Sequence, residues 1–287
     1  MSIRTGGFGI SPYLQELLCY VGQSDVFEQG SKDLEKLLRI PMNKKQVERV
    51  SKHYGGVLEK LTIKEEEQKL PKVEEQGEIV YAMIDGSMIF TRIEEWKEAK
   101  LGRLFKSKAL HILSNTRNWI KDSVYIGHVG KHVDFLKKFE LYTDQYDEDL
   151  VFVCDGAPWI WNWIVANYPK AIQILDYYHA LQHLLAFALI FFKSAMAKDK
   201  WVEQQKALLW ADKVEQVIEN VEVLQVKSTK AKESKRKLVN YFNNNKERMR
   251  YGTFKSKGLL VGSGPIEAAH RTVIQKRLKL SGQRWTR

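Results

Sequence analysis

Cys19 and Cys154 are the only thiols in this 287-residue chain, and both lie in apolar surroundings. So few cysteines exclude a disulfide scaffold and a cysteine-built zinc site; the two read as small core residues in a reducing compartment. Long apolar runs are also missing: the longest, residues 184–192, is too short to span a bilayer. Residues 1–9 are polar and glycine-rich rather than leader-like. A cytoplasmic protein without a membrane partner is therefore expected. No internal repeat is present. Negative charge is in deficit, with 46 Lys and Arg against 35 Asp and Glu, a formal net charge of +11. That excess favours polyanionic partners, nucleic acid first among them, and binding that weakens with salt.

What is there begins with helical texture over roughly the first 75 residues. Ser11-Pro12 opens a helix with Leu14, Leu17 and Leu18 on one face, and residues 27–38 give a second, with Leu34, Leu37 and Leu38 apolar. After a break at Ile40-Pro41-Met42, Asn43 caps a third over 44–54, with Val47 and Val50 inward. Lys44, Lys45, Gln46, Arg49 and Lys52 face outward. Two short helices around a tight break, the second one basic, match a helix-turn-helix; an ordinary helical hairpin with a solvated face is the other reading. Residues 64–78 are charged, carry Pro71 and Gly77, and read as a linker. The expected division is a helical region over 1–76 and a second domain over 77–287.

From residue 78 the pattern predicts strands at 79–84, 100–105, 124–129, 150–154 and 171–175, and helices at 131–141, 158–167 and 177–197. Three early strands followed by alternating helix and strand give a mixed α/β sheet, the order used by ribonuclease-H-like nuclease domains. Residues 198–250 return to helix and include a basic run with Lys235, Arg236 and Lys237. Such a run is commonly a solvated face and gains interest only beside a site that must hold DNA.

Three acids stand out. Asp85 follows the apolar run 79–84, Asp155 follows 151–154, and each precedes a glycine; Glu267 sits in Gly262-Ser263-Gly264-Pro265-Ile266-Glu267, a loop opening a helix. A strand ending at Asp-Gly puts a carboxylate at a sheet edge where a cation can approach. Separately, each has a structural reading: turn chemistry for the aspartates, and a favourable place in the first helical turn for Glu267. Together they suit two Mg²⁺ ions, with Mn²⁺ as a substitute, for phosphodiester chemistry. Asp176 and His179 follow the 171–175 strand, where they either brace such a site or act as a helix cap and a satisfied histidine. His179 and His183 are spaced as a zinc pair, but no nearby cysteine completes one. Trp159, Trp161 and Trp163 are read as core.

These stretches carry a resemblance. With Trp96 to Arg103 and the closing Leu280-Ser281-Gly282-Gln283-Arg284-Trp285, the chain resembles DDE-type insertion-sequence transposases, most closely the ISKra group, over essentially its whole length. The resemblance implies a ribonuclease-H-like core with a helical insertion near 198–250. It makes Asp85, Asp155 and Glu267 the catalytic, metal-holding acids, and Asp176 and His179 an auxiliary pair. It also implies cleavage and strand transfer on double-stranded DNA by a homo-oligomer. Related proteins continue past the point where this chain stops, at Arg287 soon after the Glu267 helix. A truncated, catalytically inactive DNA-binding remnant is therefore the alternative expectation. A haloacid-dehalogenase-type phosphatase is set aside because Ser87 stands where such enzymes need a second acid.

Overall fold

The computed structural model describes residues 7–68, 78–114, 117–146, 150–281, 283 and 285. Three helices come first: α1 (Pro12–Ser24), α2 (Phe27–Leu38) and α3 (Lys44–Gln68). Ser11 caps α1, its hydroxyl accepting the Leu14 N–H at 3.2 Å, with Pro12 opening the helix. Asn43 caps α3 reciprocally: its side chain accepts the Lys45 N–H at 2.9 Å, and Gln46 Oε1 accepts the Asn43 N–H at 3.3 Å. Leu18, Leu34, Val47 and Val50 are buried with Phe8 in a small core of their own. Leu37 and Leu38 differ from expectation. They are 77% and 41% exposed, because α2 ends there and Arg39 turns away in the left-handed region at φ 56°.

α3 is longer than the expected 44–54. It runs through Gly55-Gly56 and takes in residues 64–68, the start of the expected linker. Glycine costs a helix about 1 kcal/mol relative to alanine, and the following Leu, Glu, Lys and Gln residues are good helix formers that outweigh it. Residues 69–77 of that linker, with Pro71 and Gly77, lie outside the described residues.

The second part is built on a five-stranded mixed sheet, order β5-β2-β1-β6-β7. Its strands are β1 (Val80–Thr91), β2 (Glu95–Lys106), β5 (Val124–Val129), β6 (Leu150–Cys154) and β7 (Ile172–Leu175); β3 (Leu110–Ser114) and β4 (Arg117–Ile120) form a separate hairpin. β1, β2 and β5 pair antiparallel, while β1–β6 and β6–β7 pair parallel. All five expected strands occur, but β1 does not stop at Asp85. It continues to Thr91, because Asp85 and Gly86 keep pairing with Leu101 and Lys100 of β2. The β3–β4 hairpin was not expected.

Helices cover the sheet. α4 (His132–Thr143) lays Phe135 and Phe139 over Gly102 of β2; a Cβ at Gly102 would lie 2.3 Å from the Phe139 ring, so only glycine admits this approach. α5 (Pro158–Asn167) buries Trp161 and Trp163, and Trp163 donates to Glu140 at 2.6 Å. Cys154 is fully buried, as expected of a core residue. α6 (Tyr177–Phe191) ends before the expected 197, because Phe192 turns extended and Ser194 caps α7 (Ala195–Trp210). α8 (Val214–Glu222), α9 (Thr229–Asn245) and α10 (Tyr251–Ser256) follow, then α11 (Gly264–Ala269). A π-helical turn over His270–Gln275 and the short α12 (Lys276–Leu278) extend it. Among the described residues no helix is long and apolar enough to cross a membrane.

Candidate metal centre

Strand register brings the acids together. Ala82 of β1 pairs with Phe152 of β6, so three residues further along each strand stand Asp85 and Asp155. Cys154 pairs with Leu175 of β7, so one residue further stand Asp155 and Asp176. The three aspartates therefore occupy one level across three neighbouring parallel strands. β6 and β7 end there, and the backbone stays joined by the Asp176 N–H donating to the Cys154 carbonyl at 2.8 Å. Asp85 thus sits mid-strand in β1, opened to solvent by the end of its neighbour β6.

Glu267 is brought over this edge by α11, and three contacts hold the segment before it. Leu260 N–H donates to the Tyr81 hydroxyl at 3.1 Å, Tyr177 N–H to the Val261 carbonyl at 2.9 Å, and buried Arg103 to the Pro265 carbonyl at 2.6 Å. Arg103 is itself fixed by Ser123 and lies over the rings of Phe105 and Tyr125. Burial lowers its pKa, yet a guanidinium stays charged, so the cation acts as a rigid clamp between β2 and α11.

Each aspartate has a backbone partner. Asp85 accepts the Gly86 N–H at 2.7 Å and Asp155 the Ala157 N–H at 3.0 Å. Asp176 is fully buried and caps α6, accepting the Tyr178 N–H at 2.7 Å. The Ser263 hydroxyl lies between Asp176 and Glu267, close to the first and 3.2 Å from the second. Its single proton serves one of them at a time. Asp176, His179 and Glu267 offer ligand atoms that all lie within 4.8 Å of one another. On the other side, Asp85 Oδ2 is 3.6 Å from His270 Nε2. Burial raises the Asp85 pKa, the Asp155 charge adds to the rise, and His270 and the Gly86 N–H oppose it.

Among the described residues, no lysine or arginine pairs with Asp85, Asp155, Asp176 or Glu267. Four carboxylates gathered at one sheet edge without a basic counter-charge fit a divalent cation, whose hard character suits oxygen donors. The expected triad is divided within this group. Glu267 draws closest to Asp176 and His179, the expected auxiliary pair, whereas Asp85 and Asp155 act on each other from adjacent strands.

Three residues of the centre escaped the sequence reading: His270, Ser263 and Tyr241. His270 follows Glu267 by three on one helix, a spacing that puts both on one face. Tyr241 has no local signal; it arrives on α9. Its ring packs so tightly on Gly156 that a Cβ there would lie 2.1 Å away. Its buried hydroxyl has no hydrogen-bond partner among the described residues, and its pKa is raised by burial and by Asp155 and Asp176. His183 stacks on Tyr241 at 4.0 Å instead of joining His179, and its pKa is lowered by burial and His179.

The expected DNA contacts have mixed placements. Lys45 and Arg49 are exposed on α3, with Arg49 over the Phe8 ring. Lys44 pairs with Glu28 at 3.0 Å, Lys52 with Glu48 at 2.6 Å, and Gln46 serves the Asn43 cap. Lys235 donates to the carbonyls of Glu222 and Leu224 at the end of α8. Arg236 is exposed, and Lys237 pairs with Glu233 at 2.7 Å. Lys237 precedes Tyr241 by four residues on α9, so it stands one turn from the residue that reaches the carboxylates. Neither a protein-family model nor a curated protein matches this sequence.

Proposed function

We propose that the chain is a DDE-type transposase. It cleaves DNA strands at insertion-sequence ends and joins them to target DNA, with Asp85, Asp155 and Glu267 as the metal-holding acids and Asp176 and His179 beside them. The observation that carries this reading is the common level of three strand-borne aspartates, with Glu267 over them and, among the described residues, no lysine or arginine to neutralise the group. Further support comes from the sheet order, three antiparallel strands followed by two parallel ones, which is what a ribonuclease-H-like core requires. The stretch expected as the insertion, near 198–250, is helical (α7, α8 and α9), and α9 carries Tyr241 to the acids with Lys237 one turn before it. Mg²⁺ bound by the carboxylates would activate the attacking hydroxyl and stabilise the leaving oxygen. The residues supply what the cations need: fixed oxygens, a buried wall from Tyr241, and a clamped α11.

The reading predicts metal-dependent nicking of a plasmid that carries the DNA flanking the gene. In a gel assay with and without Mg²⁺, nicks ending in 3′-hydroxyls should appear only with the metal. Salt-sensitive retention of DNA without nicks under either condition would instead identify a binding remnant.

A further inference from the structure

We infer that His270 is a metal ligand of this centre and biases it toward Mn²⁺ over Mg²⁺; the inference rests on the reading of the centre as a cation site. His270 is 2% exposed, and among the described residues neither ring nitrogen has a hydrogen-bond partner. A buried polar nitrogen without a hydrogen bond is costly, so an imidazole in this state calls for a closer partner than Asp85, which lies at ion-pair range but not at hydrogen-bond distance. Nε2 faces Asp85 Oδ2 at 3.6 Å, too long for a hydrogen bond. It is close to the spacing of two donors on one ion, since metal–ligand bonds of about 2.0–2.2 Å at ordinary angles set neighbouring donors ~3–3.5 Å apart.

The placement has a structural basis. His270 lies one turn after Glu267, where the helix changes to π geometry, a distortion that recurs at functional sites. Its ring therefore approaches Asp85 from the same helix that presents Glu267 to Asp176 and His179. The centre becomes a mixed nitrogen and oxygen donor set, with one imidazole toward each side. All-oxygen sets suit Mg²⁺, whereas neutral imidazole nitrogen raises affinity for transition ions relative to it.

The test uses Mn²⁺ bound to the full chain, read by the ¹⁴N modulation of its electron spin echo, with Mn²⁺ and Mg²⁺ affinities from calorimetry. His179→Ala should keep imidazole modulation, and His179→Ala/His270→Gln should lose it. His270→Gln should weaken Mn²⁺ binding by at least about tenfold, as loss of a supporting ligand does, and Mg²⁺ binding by less. Circular dichroism checks the fold of each variant; should the His270 variants not fold, His179→Ala alone decides by whether its ¹⁴N signal persists. Mn²⁺ binding without ¹⁴N coupling in His179→Ala overturns the role of His270 and leaves the metal centre standing. Failure of the folded wild-type chain to bind Mn²⁺ overturns both.

Discussion

Asp85 shows how a single side chain records the demand for a cation. Its carboxyl is held above the ordinary value of 3.8 by burial, with Asp155 adding to the rise and His270, the Gly86 N–H and His179 opposing it. The folded state then binds more protons than the unfolded one in the interval between that value and the raised one. Stability therefore falls as pH rises through this interval and is regained as pH falls toward 3.8. Asp85→Asn should remove the effect. At neutral pH and without metal, its melting temperature should exceed wild type by about 2–4 °C, corresponding to ~1 kcal/mol, and the pH dependence should flatten. Added Mg²⁺ should raise the melting point of wild type more than that of the variant. At this scale the sequence was informative where an apolar run stops at an acid, as at Asp85, Asp155 and Asp176. It was silent on Tyr241, because nothing local marks a tyrosine on an amphipathic helix as the one that will reach a distant strand end.

The elements that matter most at the centre are β6 and α9, which meet where the Tyr241 ring lies on the Gly156 backbone. Gly156→Ala would drive a methyl group into that ring, and overpacking of this kind costs about 1–3 kcal/mol. In the Tyr241→Ala background the same substitution should cost far less, giving a coupling that urea unfolding of the double-mutant cycle measures directly. Equal costs in both backgrounds would mean that α9 does not press on the strand end. Element type was largely legible: the short apolar runs became sheet strands and the capped, amphipathic stretches became helices. Element length was less so. β1 passes Asp85 because β2 continues to pair with it, and α3 passes Gly55-Gly56 because helix-forming residues follow. Both are cooperative effects of neighbours that a local reading does not weigh. The β3–β4 hairpin was missed for a related reason: it is short and separate from the main sheet, and its strands lack a clean alternation.

Across the whole molecule the charge excess of +11 is legible from composition alone, and its distribution needed the fold. Several lysines expected to face DNA are paired with acids or backbone carbonyls of the protein, which leaves Lys45 and Arg49 as the exposed cations of that expected set on α3 that, among the described residues, make no ion pair. Lys45→Ala and Arg49→Ala should each weaken DNA binding across sequences and lower the slope of log affinity against log salt by about 1, as loss of one phosphate contact does. An unchanged slope in the double variant would remove α3 from the interface. The order of the sheet was legible only as an alternation of elements, while its register, which aligns Asp85, Asp155 and Asp176, is a long-range property carried by no single motif. The most direct measurement is strand cleavage by the Asp85→Ala/Asp155→Ala/Glu267→Ala protein beside wild type, with Mg²⁺ and DNA carrying the element's ends. The account predicts cleavage by wild type and none by the triple variant, with DNA binding largely retained. Cleavage by the triple variant at the wild-type rate would contradict it.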